Sequence, residues 1–132
     1  MKTIIRLTLL VFLLAILTGC RKGANPPFDA MVQVSTNLVE DCRSLAEAGM
    51  GQGKEIWTQS DPLPASIKAL APQYVRLCAT PESTVVDIQL SGGFQHRGLL
   101  VVCSSKDIAF APVKGRNWRI MKLRKDVYEY RE

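Results

Sequence analysis

TVVDIQLSGGFQHRGLLVVC, residues 84–103, is the stretch that decides the fold of this chain. In its first half Val86, Ile88 and Leu90 alternate with other residues, as on the buried face of a strand. Gly92-Gly93 then suits a tight reversal, because glycine tolerates the positive φ of primed hairpin turns. A glycine at position 98, inside the returning strand, predicts a bulge or the close approach of a neighbouring side chain. The pattern predicts a hairpin in which Leu90 faces Phe94, Ile88 faces His96, Val86 faces Gly98 and Thr84 faces Leu100.

Further strands are expected on both sides of this hairpin. Short apolar or β-branched runs, bounded by Pro, Gly and Asp, predict strands at 55–58, 74–78, 117–123 and 127–131. The last two form either a hairpin or one bent strand. Residues 65–70 predict a short helix that stops before Pro72.

A longer amphipathic helix precedes the strands. Pro26 and Pro27 suit the first turn of a helix, and apolar side chains then recur at steps of three and four as far as Ala46. Gly49 is expected to end this helix. We therefore expect an α+β domain in which the N-terminal amphipathic helix packs on a mostly antiparallel meander of four or five strands.

The N-terminus has the pattern of a secretory signal. Lys2 and Arg6 form a basic start, and residues 7–17 are an apolar run that is too short for the roughly 20 residues of a membrane span. The run ends in Leu17-Thr18-Gly19-Cys20, which resembles the lipobox of bacterial lipoproteins. This resemblance implies that a diacylglycerol is attached to the Cys20 thiol, that the chain is cut before Cys20, and that acyl chains such as palmitate hold the protein at the membrane.

The anchor divides the chain into three parts. The resemblance implies that residues 1–19 are a cleaved signal and residues 20–25 the lipidated Cys with a short tether, and we expect residues 26–132 to form a single domain. Cleavage removes Lys2 and Arg6 and leaves 15 basic and 12 acidic residues, a net charge of about +3. Arg21 stands where an Asp would retain a lipoprotein at the inner membrane. The resemblance thus implies a cell-membrane protein, placed on the outer membrane facing the periplasm if the host has two membranes.

Three cysteines remain in the domain: Cys42, Cys78 and Cys103. The compartment beyond the inner membrane is oxidising, so a disulfide is allowed, and three cysteines form at most one. Cys78 with Cys103 is the preferred pair, and Cys42 with either of them is the alternative. The absence of C-x-x-C argues against thioredoxin-like chemistry and against a zinc ribbon, and no metal site or cofactor is expected.

His96 is the only histidine of the chain. Ser91 and Asp87 are near it in sequence, but the pleat and the turn are expected to separate the three side chains, so no Ser–His–Asp triad is predicted. A cysteine nucleophile would need a lowered pKa and a neighbouring base. The sequence therefore indicates no catalytic residue, although a small envelope enzyme that uses a Cys or His96 stays an alternative.

Basic residues near the C-terminus predict a binding patch, which consists of Arg116, Arg119, Lys122, Arg124 and Lys125. Such patches often bind nucleic acid, but the envelope argues against that partner. Anionic lipid, anionic glycan or an envelope protein with an acidic face is expected instead. The alternative is that the charges only protect an edge strand from aggregation. Tyr128 and Tyr130, on one strand face, are expected either in the core or beside the patch.

The C-terminal two thirds of the chain resemble small bacterial proteins to which no activity is assigned. The residues concerned are Leu63-Pro64, Pro72, Val75 and the run Gly92-Gly93-Phe94-Gln95-His96-Arg97-Gly98. This resemblance implies no activity. We expect a lipid-anchored, non-enzymatic binding or accessory module of the cell envelope, with an inhibitor or immunity lipoprotein as a further alternative. The sequence leaves the oligomeric state open.

Overall fold

A computed structural model describes residues 36–91, 96–115 and 117–132 of the chain. These residues form one sheet and two helices, an α+β arrangement as expected. Cys20 and the predicted helix start at Pro26 lie outside the described residues. The elements are α1 (Leu38–Gln52), β1 (Ile56–Thr58), α2 (Ala65–Lys68), β2 (Tyr74–Ala79), β3 (Ser83–Ser91), β4 (Arg97–Ser105), β5 (Arg119–Arg124) and β6 (Val127–Arg131).

Helix α1 buries one apolar stripe. Leu38, Cys42, Leu45 and Ala46 follow helical spacing and are all buried against the sheet. The helix runs one turn past Gly49, so the predicted end was wrong. It stops where Gly53 adopts a left-handed conformation with φ +64°, which glycine reaches without steric cost.

The sheet is open, fully antiparallel and six-stranded, in the order β1-β2-β3-β4-β6-β5. The expected count of four or five strands was too low. The three residues of β1 form a true edge strand, and β5 and β6 form a hairpin rather than one bent strand. The meander also breaks at its end, because β4 pairs with β6 and leaves β5 at the outer edge.

The central β3–β4 hairpin forms, but its predicted register was wrong by three residues. Ile88 pairs with Leu99, Val86 pairs with Val101, and Gln89 rather than Val86 faces Gly98. Ser91 pairs with Arg97, so the connection is longer than a two-residue Gly-Gly turn. An irregularity between Gln89 and Ser91 accompanies this change of register.

The face of the sheet under α1 carries the main core. Val86 and Ile88 of β3 and Leu99 and Val101 of β4 project toward the helix, as strand alternation requires. Trp57 of β1 and Ile67 of α2 close one side of this core.

The opposite face is covered by the connection between β4 and β5, of which residues 106–115 and 117–118 are described and which we call the crossover segment. It passes over β6 because β5 lies beyond β6 in the sheet. Phe110 and Trp118 of this segment pack on a second apolar cluster that contains Leu100, Tyr128 and Tyr130. The segment therefore buries a face of the sheet that would otherwise be exposed to solvent.

Candidate functional site

Asp87 is the centre of a buried polar cluster on the crossover side of the sheet. The alternation of β3 directs Val86 and Ile88 toward α1 and Asp87 toward the opposite face, where its side chain is only 6% exposed. Its Oδ1 accepts a hydrogen bond from the Tyr130 hydroxyl at 2.8 Å, and its Oδ2 lies 2.8 Å from Lys114 Nζ. The buried carboxylate thus has a neutral donor and a cationic partner, which offset the cost of its desolvation.

The Lys114 ammonium also lies over two aromatic rings. Its Nζ is 3.6 Å from the ring centroid of Tyr130 and 4.7 Å from that of Trp118. The two rings meet edge to face, with centroids 5.1 Å apart. A carboxylate and two ring faces around one ammonium are the elements from which proteins build cation-binding cages. We call Asp87, Tyr130 and Trp118 the ammonium cage.

The ionisation of Tyr130 is suppressed in this cluster. Burial raises the pKa of its phenol well above the ordinary range, and the neighbouring Asp87 carboxylate raises it further. Tyr130 therefore stays protonated and acts as a hydrogen-bond donor. It is a poor candidate for a general base.

Gln89 and His96 extend this polar row toward the end of the sheet. Gln89 Nε2 is 3.4 Å from His96 Nδ1, and the Tyr74 hydroxyl donates to Gln89 Oε1. The imidazole packs beside Trp118 at 5.7 Å, and its Nε2 is 3.6 Å from a carboxylate oxygen of Glu132. Asp87 is engaged by Tyr130 and Lys114 rather than by His96, so these contacts do not form a Ser–His–Asp triad.

The predicted basic patch is divided by the sheet. Arg119 and Lys122 of β5 are exposed and, by alternation, belong to opposite faces. Lys122 Nζ lies 5.8 Å from the Tyr128 ring centroid. Arg124 is partly buried beside a register shift, and Lys125 is exposed in the β5–β6 turn. Arg116 lies outside the described residues. The described basic residues therefore lie along one strand edge and its turn, but they do not lie on one face of the sheet.

Glu129 forms an ionic cluster that the sequence analysis missed. It lies between Tyr128 and Tyr130 on β6, so it points to the α1 side of the sheet, where it is 1% exposed. Its Oε1 accepts from Arg97 Nε at 2.8 Å and from Arg131 Nε at 2.5 Å. Burial alone would raise the pKa of Glu129, but these hydrogen bonds and charges outweigh burial and lower it. The sequence signal for this cluster was the position of Glu129 between two aromatic residues of one strand.

The three cysteines of the domain are free, and the structure does not bring the preferred pair together. Cys78 of β2 is exposed on the crossover side, whereas Cys103 of β4 is buried on the α1 side. Strand β3 lies between β2 and β4, which places them about 9.5 Å apart, more than the roughly 7 Å that a disulfide tolerates between Cα atoms. Cys42 of α1 shares the core with Cys103. A disulfide between Cys42 and Cys103 is therefore the pairing that is compatible with this strand order.

Neither buried thiol is activated. Burial raises the pKa of Cys103 to about 11 and raises that of Cys42 further still. Partial burial also raises the pKa of Cys78, although this residue is exposed on the surface. A catalytic cysteine needs the opposite shift, since the thiolate is the nucleophile.

An open pocket of about 340 Å³ lies at the end of the sheet beside α1. Arg43, Lys125 and Asp126 contribute charges to it, and Phe110 forms an apolar wall. Arg43 Nε donates to the Cys103 carbonyl at 3.0 Å, which ties the helix to β4. Within the described ranges, no three His, Cys, Asp or Glu side chains converge where they could hold a metal ion.

No family model matches the chain, and no curated protein and no solved structure is significantly similar to it. Among the described residues, no helix is long and apolar enough to cross a membrane. The site must therefore be interpreted from its own geometry and chemistry.

Proposed function

We propose that the protein is a lipid-anchored, non-enzymatic binding module of the cell envelope, held at the membrane through Cys20. Its binding surface is the open edge of the sheet at β5. The observation that carries the proposal is that a six-residue strand without an acidic residue occupies this edge, with no further strand beside it among the described residues.

Strand β5 has two properties of a docking edge. Every second residue of an edge strand presents its backbone N–H and C=O outward, where an extended segment of a partner can pair with them. Arg119 and Lys122 add charge on the two faces, and Met121 between them is 54% exposed. Main-chain pairing supplies affinity in this mode, and side chains supply selectivity.

The charge of the edge selects the partner. Two copies of β5 would place basic side chains against each other, which opposes self-association. An extended acidic segment of an envelope protein fits both the backbone and the side chains. Anionic lipid or glycan fits the charge but makes no use of the backbone groups.

The thiols weigh against the alternative of a small envelope enzyme. The raised pKa values of Cys42 and Cys103 leave little thiolate at neutral pH. No contact in the described residues specifically favours an inhibitor or immunity protein, although a toxin with an acidic edge would be one partner of the expected class.

In-cell crosslinking of the tagged protein, with mass spectrometry of the membrane fraction, tests the binding claim. We expect one dominant protein partner, lost in the Arg119→Glu/Lys122→Glu variant and retained in the charge-matched Lys68→Glu/Lys106→Glu variant. Equal crosslinking in both variants would contradict a role for β5. The anchor is tested separately: Cys20→Ser should release the protein from membranes or leave it unprocessed, and processed, membrane-bound Cys20→Ser protein would rule out the anchor.

A further inference from the structure

The crossover segment is held over the sheet mainly by side chains. Its described part, residues 106–115 and 117–118, contains no helix or strand. One backbone hydrogen bond ties its start to the neighbouring turn, from Lys106 N to Glu82 O. Ile108 and Val113 of the segment project into solvent, so they contribute nothing to its attachment. Near its C-terminal end Pro112 is buried, and Lys114 and Trp118 contact Tyr130 of the sheet.

Lys114 occupies the ammonium cage in the way that a ligand would. Its Nζ contacts the Asp87 carboxylate at 2.8 Å and lies over the rings of Tyr130 and Trp118. Gly115 follows with φ +54°, a left-handed turn that lets Lys114 and Trp118 approach Tyr130 from one loop. Carboxylate and phenol belong to the sheet and are buried, whereas the lysine side chain is 23% exposed and belongs to a loop.

We propose that the ammonium cage is a receptor for a primary alkylammonium group, filled in this conformation by the chain's own Lys114. Residues 106–115 of the crossover segment are then a displaceable strap, whereas Trp118 stays in the cage. An external amine that enters the cage takes over the contacts with Asp87, Tyr130 and Trp118 and frees Lys114. Release of residues 106–115, which include Phe110, uncovers Leu100 and Tyr128 on the sheet.

Displacement has a concentration threshold. An occupant attached to the same chain competes at an effective concentration on the order of mM or more. A dilute free amine therefore leaves the strap closed. An amine presented at high local concentration, as at a membrane surface or on a bound partner, opens it. This inference does not depend on the β5 edge, since Asp87 and Tyr130 of the cage lie on β3 and β6.

Removal of Lys114 should empty the cage and make it available to a small amine. In the mature Lys114→Ala protein, we expect the ¹⁵N indole signal of Trp118 to shift on titration with butylammonium chloride, with roughly tenfold tighter binding than in the unsubstituted protein because the tethered competitor is gone. Asp87→Asn added to Lys114→Ala should abolish the effect. Lys106→Ala, which removes a lysine outside the cage, should behave like the unsubstituted protein. A folded Lys114→Ala variant whose Trp118 signal responds no more than that of Lys106→Ala would overturn the proposal.

A second measurement needs no substitution, and it decides the matter if Lys114→Ala fails to fold. Hydrogen exchange of residues 106–115 in the unsubstituted protein should accelerate in butylammonium chloride at about 100 mM, well above the mM effective concentration of a tethered group, relative to sodium chloride at equal ionic strength. Residues 85–88 of β3 should show no acceleration. Equal exchange of residues 106–115 in both salts would show that the strap is not displaceable by an amine.

Discussion

Tyr130 of β6 lies opposite Gly98 of β4, and its ring occupies the space where a side chain at position 98 would stand. This absence of a side chain lets the Tyr130 hydroxyl pass over β4 and donate to Asp87 on β3 at 2.8 Å. A Cβ added at Gly98 would collide with the Tyr130 phenol and with the Ile88 carbonyl. The cluster around Asp87 therefore depends on a glycine of β4, the strand that lies between Tyr130 and its target.

Gly98→Ala should destabilise the domain by about 2 kcal/mol, since overpacking of a filled site typically costs about 1–3 kcal/mol. Gly51→Ala is the matched control, because a Cβ at this exposed position of α1 meets nothing within 4 Å. That control should be neutral or stabilise by up to about 1 kcal/mol. Urea denaturation of both variants measures the difference, and a Gly98→Ala variant as stable as Gly51→Ala would contradict the packing described.

Tyr130→Phe should cost about 1–3 kcal/mol of unfolding free energy, because it leaves a buried carboxylate oxygen of Asp87 without its donor. Tyr128→Phe removes a hydroxyl from the same strand, but that hydroxyl makes only a long contact of 3.4 Å with the Phe110 carbonyl. Its loss should cost about 0.5 kcal/mol. Thermal or urea unfolding of the two variants measures both costs. Equal losses of unfolding free energy would contradict a stabilising role for the hydrogen bond to Asp87.

Glu129→Gln should make the free energy of unfolding less dependent on pH in the acidic range. The pKa of Glu129 is lower in the folded protein than in the unfolded chain, so its contribution is fully present above the unfolded pKa of about 4.3 and is lost as pH falls through the folded value. The stability gap between the unsubstituted protein and Glu129→Gln should therefore shrink as pH falls below about 4.3. Glu47→Gln, at an exposed position of α1, is the control. A gap that stays constant from pH 7 to pH 3 would refute the assignment.

Mild oxidation should link Cys42 to Cys103 and leave Cys78 free. The first two share the core between α1 and β4, and the charge of Cys103 contributes to the raised pKa of Cys42. Because both pKa values are raised, the reaction should be slow at neutral pH and faster in alkali. Diamide treatment of a Cys20→Ser protein, followed by peptide mapping, identifies the pair. An intramolecular disulfide that contains Cys78 would contradict the strand order.

The local pattern of apolar residues was enough to predict the helices and strands. It was not enough to predict which residues of two strands pair. The alternation of Val86, Ile88 and Leu90 correctly predicted β3, and the stripe through Leu45 and Ala46 predicted the described part of α1. The hairpin register was wrong because Gly92-Gly93 suggested a two-residue turn, whereas Ser91 pairs with Arg97. Side-chain alternation fixes which residues share a face within a strand, but it does not fix which residues face one another across a longer connection.

The ammonium cage lay beyond sequence reasoning because it is assembled from distant parts of the chain. Asp87, Lys114 and Tyr130 meet only because the crossover segment carries β5 past β6. The composition of the cage gave one weak signal, a single acidic residue between the apolar Val86 and Ile88 of β3. The basic residues of β5 were recognised correctly as a cluster in sequence, yet strand alternation distributes them over two faces.

The central claim, that the β5 edge binds an envelope partner, is tested most directly by site-specific photo-crosslinking in the cell. A photoreactive residue at Met121 of β5 is compared with one at Met50 of α1, since the two side chains are 54% and 53% exposed. We predict that Met121 captures one dominant protein in the membrane fraction and that Met50 does not. Capture of the same partner from both positions, or of no protein from Met121, would contradict the proposal that β5 is the binding surface.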